Sequence, residues 1–531
     1  VWWQTLTVAV FIGGLGLGAY LSEKIKNYYQ VMVRVELALS FLGAICVVYV
    51  YLFHGAFKFF DTIFFLNNEY YSPAYLQNVF FLKILFFLII QTLTLSIGIL
   101  SGFEIPLMMK IAHAELGENE KEEHYILGVN YIGTLVGTIC FAYFLLPKLD
   151  VVKAGAVVAT INLFVSLYFN FKYVDKFKKI YYAIAAAVFV VVGAIGFSEA
   201  KITQNYLHVF YYLPKILETA EDERQNLIKT IKELPKIERM KSLYQYVDIF
   251  KYPHVENGVE KEATILTLDT NFQFNTATEY LYHQSFAHVS IAINKTVPKK
   301  VLVLGGGDGL LIRELLKYPQ IESINHIELD QKIIDLANTR FAELNQHSLS
   351  NPRVHSSIND GFYFVRNTHE KFDAVFIDFP YPNSYDLLRL YSVEFYTYVK
   401  NVLNPDGFVV LDAPFYNKVD YTKERYRGQI MVSQVFGERH ILSNSVLAST
   451  FYYAGFRTLF PYRIADESFL FVKADSGKVD YEYMENADLS KLDKQTLGEM
   501  KEIKNQDFPY YIAYKYVNSI FKPTLTRKNE F

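Results

Sequence analysis

Apolar and polar positions change their rhythm near residue 200. Before it, apolar residues come in long unbroken runs: Trp2–Leu21, Val31–Phe53, Val79–Leu100, Ile126–Leu146, Val151–Phe169 and Tyr181–Phe197. A bilayer core about 30 Å thick is crossed by about 20 apolar residues in a helix. Six such runs are too many for the buried helices of a globular core, and too many for a signal peptide. Residues 1–198 are therefore predicted to form a multi-pass α-helical membrane domain of six helices, with room for one more upstream of Val1. Gly13, Gly14, Gly16 and Gly18 in the first run suit close helix–helix packing.

Beyond the runs the pattern shortens. Residues 199–241, with EDERQNLIKTIKELPKIERMK, read as an amphipathic connector whose charges face solvent. SLYQYVDIFKY and ATILTLDTNFQF alternate with the period of strands, which predicts a small β-sheet subdomain over 242–297. From 298 to 475 short apolar strands alternate with helical patterns: Val301–Leu304, Ile324–Ile327, Val354–Ser356, Ala374–Ile377 and Phe408–Leu411. That alternation predicts an α/β Rossmann-like domain of the methyltransferase type, with ligands at the carboxyl ends of its strands. Residues 476–531 are left as a C-terminal tail.

Composition narrows the function classes. A net charge of −3 leaves no basic footprint for nucleic acid. The two cysteines, Cys46 and Cys140, both lie in apolar runs, which excludes a disulfide framework and a cysteine zinc site. Lysines 24, 26, 110, 121, 172, 176, 178 and 179 follow the first, third and fifth runs, so their loops share one side. The positive-inside rule would make that side cytoplasmic, and six crossings would then put the C-terminal half on the other side of a cell membrane; an adenosyl donor in the cytoplasm argues the opposite, and the side of the C-terminal half is left open. Glu36 and Glu104 could line a pathway. The reading preferred is structural, near helix ends or paired with Arg34 and Lys110.

The chemistry concentrates in VLVLGGGDGLLIRELLKYPQIESINHIELD, residues 301–330. VLVL is a strand, GGGDG a tight turn, LLIRELLKY an amphipathic helix. Leu310 stands where a dinucleotide fingerprint has its third glycine, which disfavours NAD. The second strand ends at Glu328, where a carboxylate can take ribose hydroxyls. A glycine turn plus that acid indicates an adenosyl ligand without pyrophosphate, an S-adenosyl sulfonium; the competing reading is a glycine turn with no ligand. Asp308 inside the turn either caps the following helix or faces the donor. There it would repel the carboxylate of S-adenosylmethionine and attract the lone ammonium of the decarboxylated donor, which favours aminopropyl over methyl transfer. Asp360 in INDGF could bind the adenine amino group. Asp378 in AVFIDFP ends the fourth strand, as a turn former before Pro380 or as a base. A free alkylamine has a pKa of about 10, so a carboxylate that holds it and takes its proton would make it nucleophilic. No metal is needed, because the sulfonium leaves as a neutral thioether.

LDTNFQFNTATEYLYHQSFAH, VLVLGGGDGLLIRELLKYP, IELD, NDGF and FDAVFIDFPYPN resemble the spermidine synthases, the polyamine aminopropyltransferases, over about residues 242–475. GLGLGAYLS, VELALSFLG and GFEIPLMMKI resemble the membrane-fused, multi-pass branch of that family. The resemblance implies that Gly305, Gly306, Gly307 and Gly309 cradle decarboxylated S-adenosylmethionine. It further implies that Asp308 takes the aminopropyl ammonium, Gln245 lies on the donor side, Glu328 binds ribose and Asp360 binds adenine. Asp378 matches the catalytic aspartate. Tyr282 and His283 match the acceptor-side pair, with Gln273 close by; plain packing is the alternative for His283. The departures fall on the acceptor side. Tyr381 replaces the second acid of the family's D-x-x-D, Thr278 an acid before Glu279, and Gln284 a glutamate after the Tyr-His pair. The late loop FPYRIADES lacks the usual aromatic placement and carries Arg463. Losing one acid should cost a diamine about 1 to 3 kcal/mol of affinity, so the resemblance does not fix putrescine as acceptor.

The reading that follows is a membrane-anchored aminopropyltransferase releasing methylthioadenosine. A methyltransferase using S-adenosylmethionine and a non-catalytic adenosyl- or polyamine-binding membrane subunit are the alternatives. The partners expected are a small amine acceptor and a lipid bilayer. The family implies dimers or tetramers, an interface that the membrane half would have to accommodate or replace with a membrane-protein partner.

Overall fold

The computed structural model describes all residues except 1, 68–72, 118–119, 176–177, 219–233, 257–258, 381, 383–384, 414, 417–429, 465–466, 478, 480–490, 501–502, 504–505 and 526–531. It divides into two compact units, Val1–Ile237 and Glu238–Phe531.

The first unit is helical: α1 (Trp2–Ser22), α2 (Tyr28–Asn67), α3 (Pro73–Leu116), α4 (Glu120–Cys140), α5 (Val151–Tyr173), α6 (Lys178–Phe197) and α7 (Glu199–Glu218). Six of these helices are long and apolar enough to cross a membrane. Two outrun their predicted spans. The apolar stretches are Tyr28–Phe64 in α2 and Gln77–Glu115 in α3. With 40 residues, α2 is about 60 Å long, because nothing after Phe53 stops it. Pro106 stays inside α3.

Helices α1 and α3 touch through backbone. A β-carbon on Gly18 would lie 2.0 Å from the Ile99 carbonyl oxygen, and one on Gly102 would lie 2.2 Å from that of Leu15. Gly14 faces Gly98 in the same way, whereas Gly13 and Gly16 meet nothing within 4 Å. Only glycines four apart share the contact face, so two of the four predicted positions pack. Among the described residues, Arg34 and Lys110 have partners other than the acids expected for them, Glu36 and Glu104: the Arg34 Nε donates to the Tyr181 hydroxyl at 2.8 Å. Lys110 Nζ donates to the carbonyls of Ser22, Glu23 and Ile25, closing the end of α1. The outer surface is apolar: nothing in the apolar window of α4 is buried, and Tyr131 and Leu135 are 70% and 62% exposed.

The second unit opens with a four-stranded antiparallel sheet in sequence order: β1 (Glu238–Lys241), β2 (Tyr246–Glu256), β3 (Val259–Leu268) and β4 (Asn271–Asn275). A helical stretch follows, α8 (Glu279–Gln284) continuing through a π turn to Asn294. Then come β5 (Lys300–Gly305), α9 (Leu310–Leu315), β6 (Ser323–Glu328), α10 (Gln331–Asn338), β7 (Val354–Ile358), α11 (Gly361–Asn367), β8 (Phe372–Asp378), α12 (Val393–Asn401), β9 (Leu403–Asp412), α13 (Ile430–Tyr453), β10 (Thr458–Ile464) and β11 (Glu467–Lys473). They build one seven-stranded sheet, ordered β10-β11-β9-β8-β5-β6-β7. β11 alone runs against the others. Side chains alternate between two cores. Val301, Val303 and Phe376 enter one, and Leu302, Leu304, Val375 and Ile377 the other.

The five predicted parallel strands are present. The β10–β11 hairpin corrects the late loop, most of which is strand. Pro461 lies within β10, and the chain tolerates it because β10 is the sheet edge. Helix α9 also differs from the expected amphipathic LLIRELLKY: it stops at Leu315, and all six of its residues are buried.

Candidate active site

Strand order reverses between β5 and β8, since β6 and β7 lie on one side and β9 on the other. A crevice opens at the carboxyl ends of strands at such a switch point. There the register pairs Gly305 with Asp378. Gly305 and Gly306 have φ of 80° and 66°, a left-handed region that glycine enters without cost. The turn also presses on its neighbours. A β-carbon at Gly305 would lie 2.1 Å from the Asp378 carbonyl oxygen, and one at Gly307 would lie 2.6 Å from the Glu328 Oε2. His326 on β6 pins the turn from beneath, with Nε2 donating to the Gly305 carbonyl at 3.0 Å and Nδ1 accepting from the Ser356 hydroxyl at 3.0 Å. Burial lowers its imidazole to about 4, so it is neutral, as that tautomer requires.

Asp308 lies within the turn, and Glu328 and Asp378 face it. Asp308 Oδ1 accepts from the Leu310 N–H at 2.8 Å, closing the first turn of α9. Burial pushes its carboxyl up, while the His283 imidazole draws it back. Glu328 ends β6 and Oε1 accepts from the Asp330 N–H at 2.8 Å. Burial raises it to about 7, with Asp330 and Asp308 adding to the rise. Gln245, before β2, donates from Nε2 to Asp330 Oδ2 at 3.1 Å and so borders the same corner. Asp360 caps α11, where Oδ1 accepts from the Tyr363 N–H at 2.9 Å. Its Oδ2 is paired with Arg389.

Asp378 lies at the centre. The Tyr282 hydroxyl donates to its Oδ1 at 2.6 Å. A β-carbon on Gly306 would lie 3.0 Å from its Oδ2, so that oxygen faces the glycine turn. Burial raises Asp378 to about 6, the Asp308 charge adds to the rise, and Tyr282 opposes it. The Tyr282 phenol is itself pushed far up by burial and by Asp378. Next to Tyr282, buried His283 binds Glu279 Oε2 at 2.8 Å through Nδ1. Burial alone would lower His283, but the Glu279 bond and the Asp308 and Asp378 charges raise it.

Of the predicted site residues, the fold gathers Gly305, Gly306, Gly307, Asp308, Gly309, Glu328, Tyr282, His283 and Asp378. Among the described residues, Gln273 on β4 donates to the carbonyls of Asn271 and Phe272, bonds local to its own strand. Tyr381 lies outside the described residues. The substituted positions have structural partners. Gln284 Oε1 accepts from the Asp493 N–H, and the Arg463 N–H donates to Gln506 Oε1. Two acids near Asp378 were missed. Asp412 is the last residue of β9, and Glu467 the first of β11. Burial and the charges of Asp378 and Glu467 push the Asp412 carboxyl far up. Asp412 could have been found as the residue directly after the apolar run Phe408–Leu411. Glu467 carried no signal without the hairpin. Also missed was the buried network behind α9. Arg313 pairs with Glu279 at 2.8 Å and with Glu314 at 2.8 Å, and His288 Nε2 donates to Glu314 Oε2 at 2.7 Å. Among the described residues no three His, Cys, Asp or Glu side chains gather as a metal centre requires.

A glycine turn facing strand-end acids across the switch point of a seven-stranded sheet defines a Rossmann-like domain with a crevice for a small ligand. Residues 279–437 match the spermine/spermidine synthase domain family. The polyamine aminopropyltransferase of Mycobacterium tuberculosis is 30% identical over 421 residues, covering 77% of this chain and 70% of that protein. Those of Oceanobacillus iheyensis and Leptospira interrogans are each 28% identical, over 77% and 78% of this chain and 70% and 74% of theirs. A spermidine synthase solved with the transition state analogue AdoDATO is 23% identical, with a TM-score of 0.35 over 52% of this chain and 80% of its own. The chain belongs to the spermidine synthase family of polyamine aminopropyltransferases, and it is an aminopropyltransferase enzyme.

Proposed function

We propose that the chain is a membrane-anchored aminopropyltransferase that moves an aminopropyl group from decarboxylated S-adenosylmethionine to an amine, releasing methylthioadenosine. The observation that carries the reaction is Asp378, at the end of β8, with Oδ1 held by Tyr282 at 2.6 Å and Oδ2 turned to the glycine turn. In this reading the turn and Glu328 hold the adenosyl group, and Asp308 attracts the donor's ammonium. Asp378 receives the acceptor's ammonium and takes one proton. The freed nitrogen lone pair attacks the carbon beside the sulfonium; the carbon–sulfur bond breaks, and its electron pair stays on sulfur as a neutral thioether. Orienting the Asp378 carboxylate is the work of Tyr282, while the His283–Glu279 pair stands behind the Tyr.

Anchoring rests on six apolar helices and on their unburied outer face. Incubating the purified full chain with the decarboxylated donor and a panel of amines tests the reaction. Methylthioadenosine release that depends on one amine is expected, and no release with any amine overturns it. Washing membranes that carry the chain with alkaline carbonate tests the anchor. The chain should stay in the pellet, and its appearance in the wash would contradict a bilayer-spanning half.

A further inference from the structure

The helical unit holds a cavity of about 240 Å³ between α2 and α3. Phe53, Phe57 and Phe86 form apolar walls, and their rings touch: Phe86 lies 6.4 Å from Phe53 and 5.8 Å from Phe57, centroid to centroid. His54 and the exposed Lys83 are the polar lining, and among the described residues no acid lines the cavity. A second cation stands at the rim. Lys58 is one turn beyond His54 on the same face of α2. Its Nζ lies 4.9 Å from the Phe210 centroid, and the Phe210 ring lies 5.6 Å from that of His54. His54 is held from α7, where the Tyr206 hydroxyl shares a hydrogen bond with its Nδ1 at 2.7 Å. The position of the cavity along the helices identifies its surroundings. Lys110 binds the carbonyls that end α1, so Lys110 on α3 and Tyr28 on α2 mark the same end of the bundle. At about 1.5 Å per residue, His54 lies about 39 Å along α2 from Tyr28, and Lys83 about 40 Å along α3 from Lys110. A bilayer's hydrocarbon core is about 30 Å thick, and about 40 to 45 Å with its headgroups. With the Lys110 end in one headgroup layer, the cavity lies at the depth of the other. Cations at that depth attract anionic headgroups, and aromatic walls favour an acyl chain. A free inorganic anion would leave those walls empty. The amines of the transfer reaction are repelled by the same lysines.

We propose that this cavity binds an anionic phospholipid, with its phosphate at Lys83 and Lys58 and one acyl chain along Phe53, Phe57 and Phe86. The inference rests on the membrane-anchored reading above. The lipid bridges α2 and α3 beside α7, the helix that follows the sixth apolar span.

The test uses the full chain purified in detergent, with native mass spectrometry counting the lipids it retains. The probes are dioleoylphosphatidylglycerol, which is anionic, and dioleoylphosphatidylcholine, which has the same chains and phosphate but no net charge. The wild-type chain is expected to retain phosphatidylglycerol and to prefer it about fivefold or more. Lys83→Gln should remove most of that preference, and Lys83→Arg should keep it. Ile90→Trp fills the cavity from its wall and should lower retention of both lipids. Lys24→Gln, at the opposite end of the bundle, should change neither. Melting temperature in detergent checks that each variant is folded; if Lys83→Gln fails that check, Lys58→Gln carries the test. Equal retention of the two lipids by the wild-type chain overturns the assignment. So does a preference unchanged in Lys83→Gln, or retention unchanged in Ile90→Trp, which would put the lipid elsewhere on the apolar surface. Displacement of the lipid by inorganic phosphate also overturns it, since an anion alone would then suffice. Release of the chain from membranes by alkaline carbonate is a different failure, that of the anchor itself.

Discussion

Replacing Asp378 by asparagine exchanges one oxygen for an amide nitrogen and leaves the side-chain volume nearly unchanged. The remaining Oδ1 can still accept from the Tyr282 hydroxyl, which now lies at 2.6 Å. What is lost is the ability to hold an ammonium and take its proton. With its carboxyl raised to about 6, the wild-type residue is roughly nine-tenths ionised at pH 7. A positioned general base contributes about 10²- to 10⁴-fold in rate, which is about 3 to 5 kcal/mol of barrier. Single-turnover release of methylthioadenosine by Asp378→Asn should therefore slow by about that factor, with donor affinity by calorimetry within a few-fold of wild type. The pH profile supplies a second reading. Asp378 works ionised, so kcat/KM of the wild-type chain should fall as pH drops through about 6. The variant should lack that limb. A variant within a few-fold of the wild-type rate would refute the assignment. So would a wild-type limb displaced to near 4, the ordinary range of an exposed aspartate.

Three further outcomes follow from the same geometry. Gly307→Ala would place its β-carbon 2.6 Å from Glu328 Oε2; displacing that acid should cost about 1 to 3 kcal/mol of donor affinity, measured by calorimetry. Glu314→Gln removes the carboxylate shared by buried Arg313 and His288 and leaves Arg313 to Glu279, which should destabilise the protein by about 1 to 3 kcal/mol, read as a lower melting temperature. Glu314 is held down to about 2 against burial, by its bonds to His288 and Lys317. Its contribution is therefore full above pH 4.5 and is lost as pH falls toward 2. Gly18→Val cannot fit against the Ile99 carbonyl, so it should separate α1 from α3 and lower the melting temperature in detergent; an unchanged value would contradict the glycine-mediated contact.

Much of this was legible in the sequence because the relevant signals are local. Five short apolar strands, a glycine turn after the first and acids closing the second and fourth are readable one segment at a time. The long apolar runs mark helix cores equally well. Their ends are harder, since α2 continues past Phe53 through residues that do not break a helix, and α3 continues past Leu100 even through Pro106. What escaped depends on pairing between distant segments. β10 reads as loop because of Pro461, and becomes strand only by lying at the edge beside β11. Without that hairpin Glu467 has no address. Asp412 follows a strand that was identified, yet its meaning comes from register, which sets it beside Asp378. Arg313 and Glu314 look like the polar face of an amphipathic helix. Only the packing of α8 over α9 shows them as a buried ionic network.

The reaction class is tested most directly by the mass of the amine product after the full chain has been incubated with decarboxylated S-adenosylmethionine and the preferred amine. A gain of one aminopropyl unit, matched by an equal amount of methylthioadenosine, is the expected result. An amine left unchanged in mass while the donor binds, or an amine methylated when S-adenosylmethionine is supplied, would contradict aminopropyl transfer at Asp378.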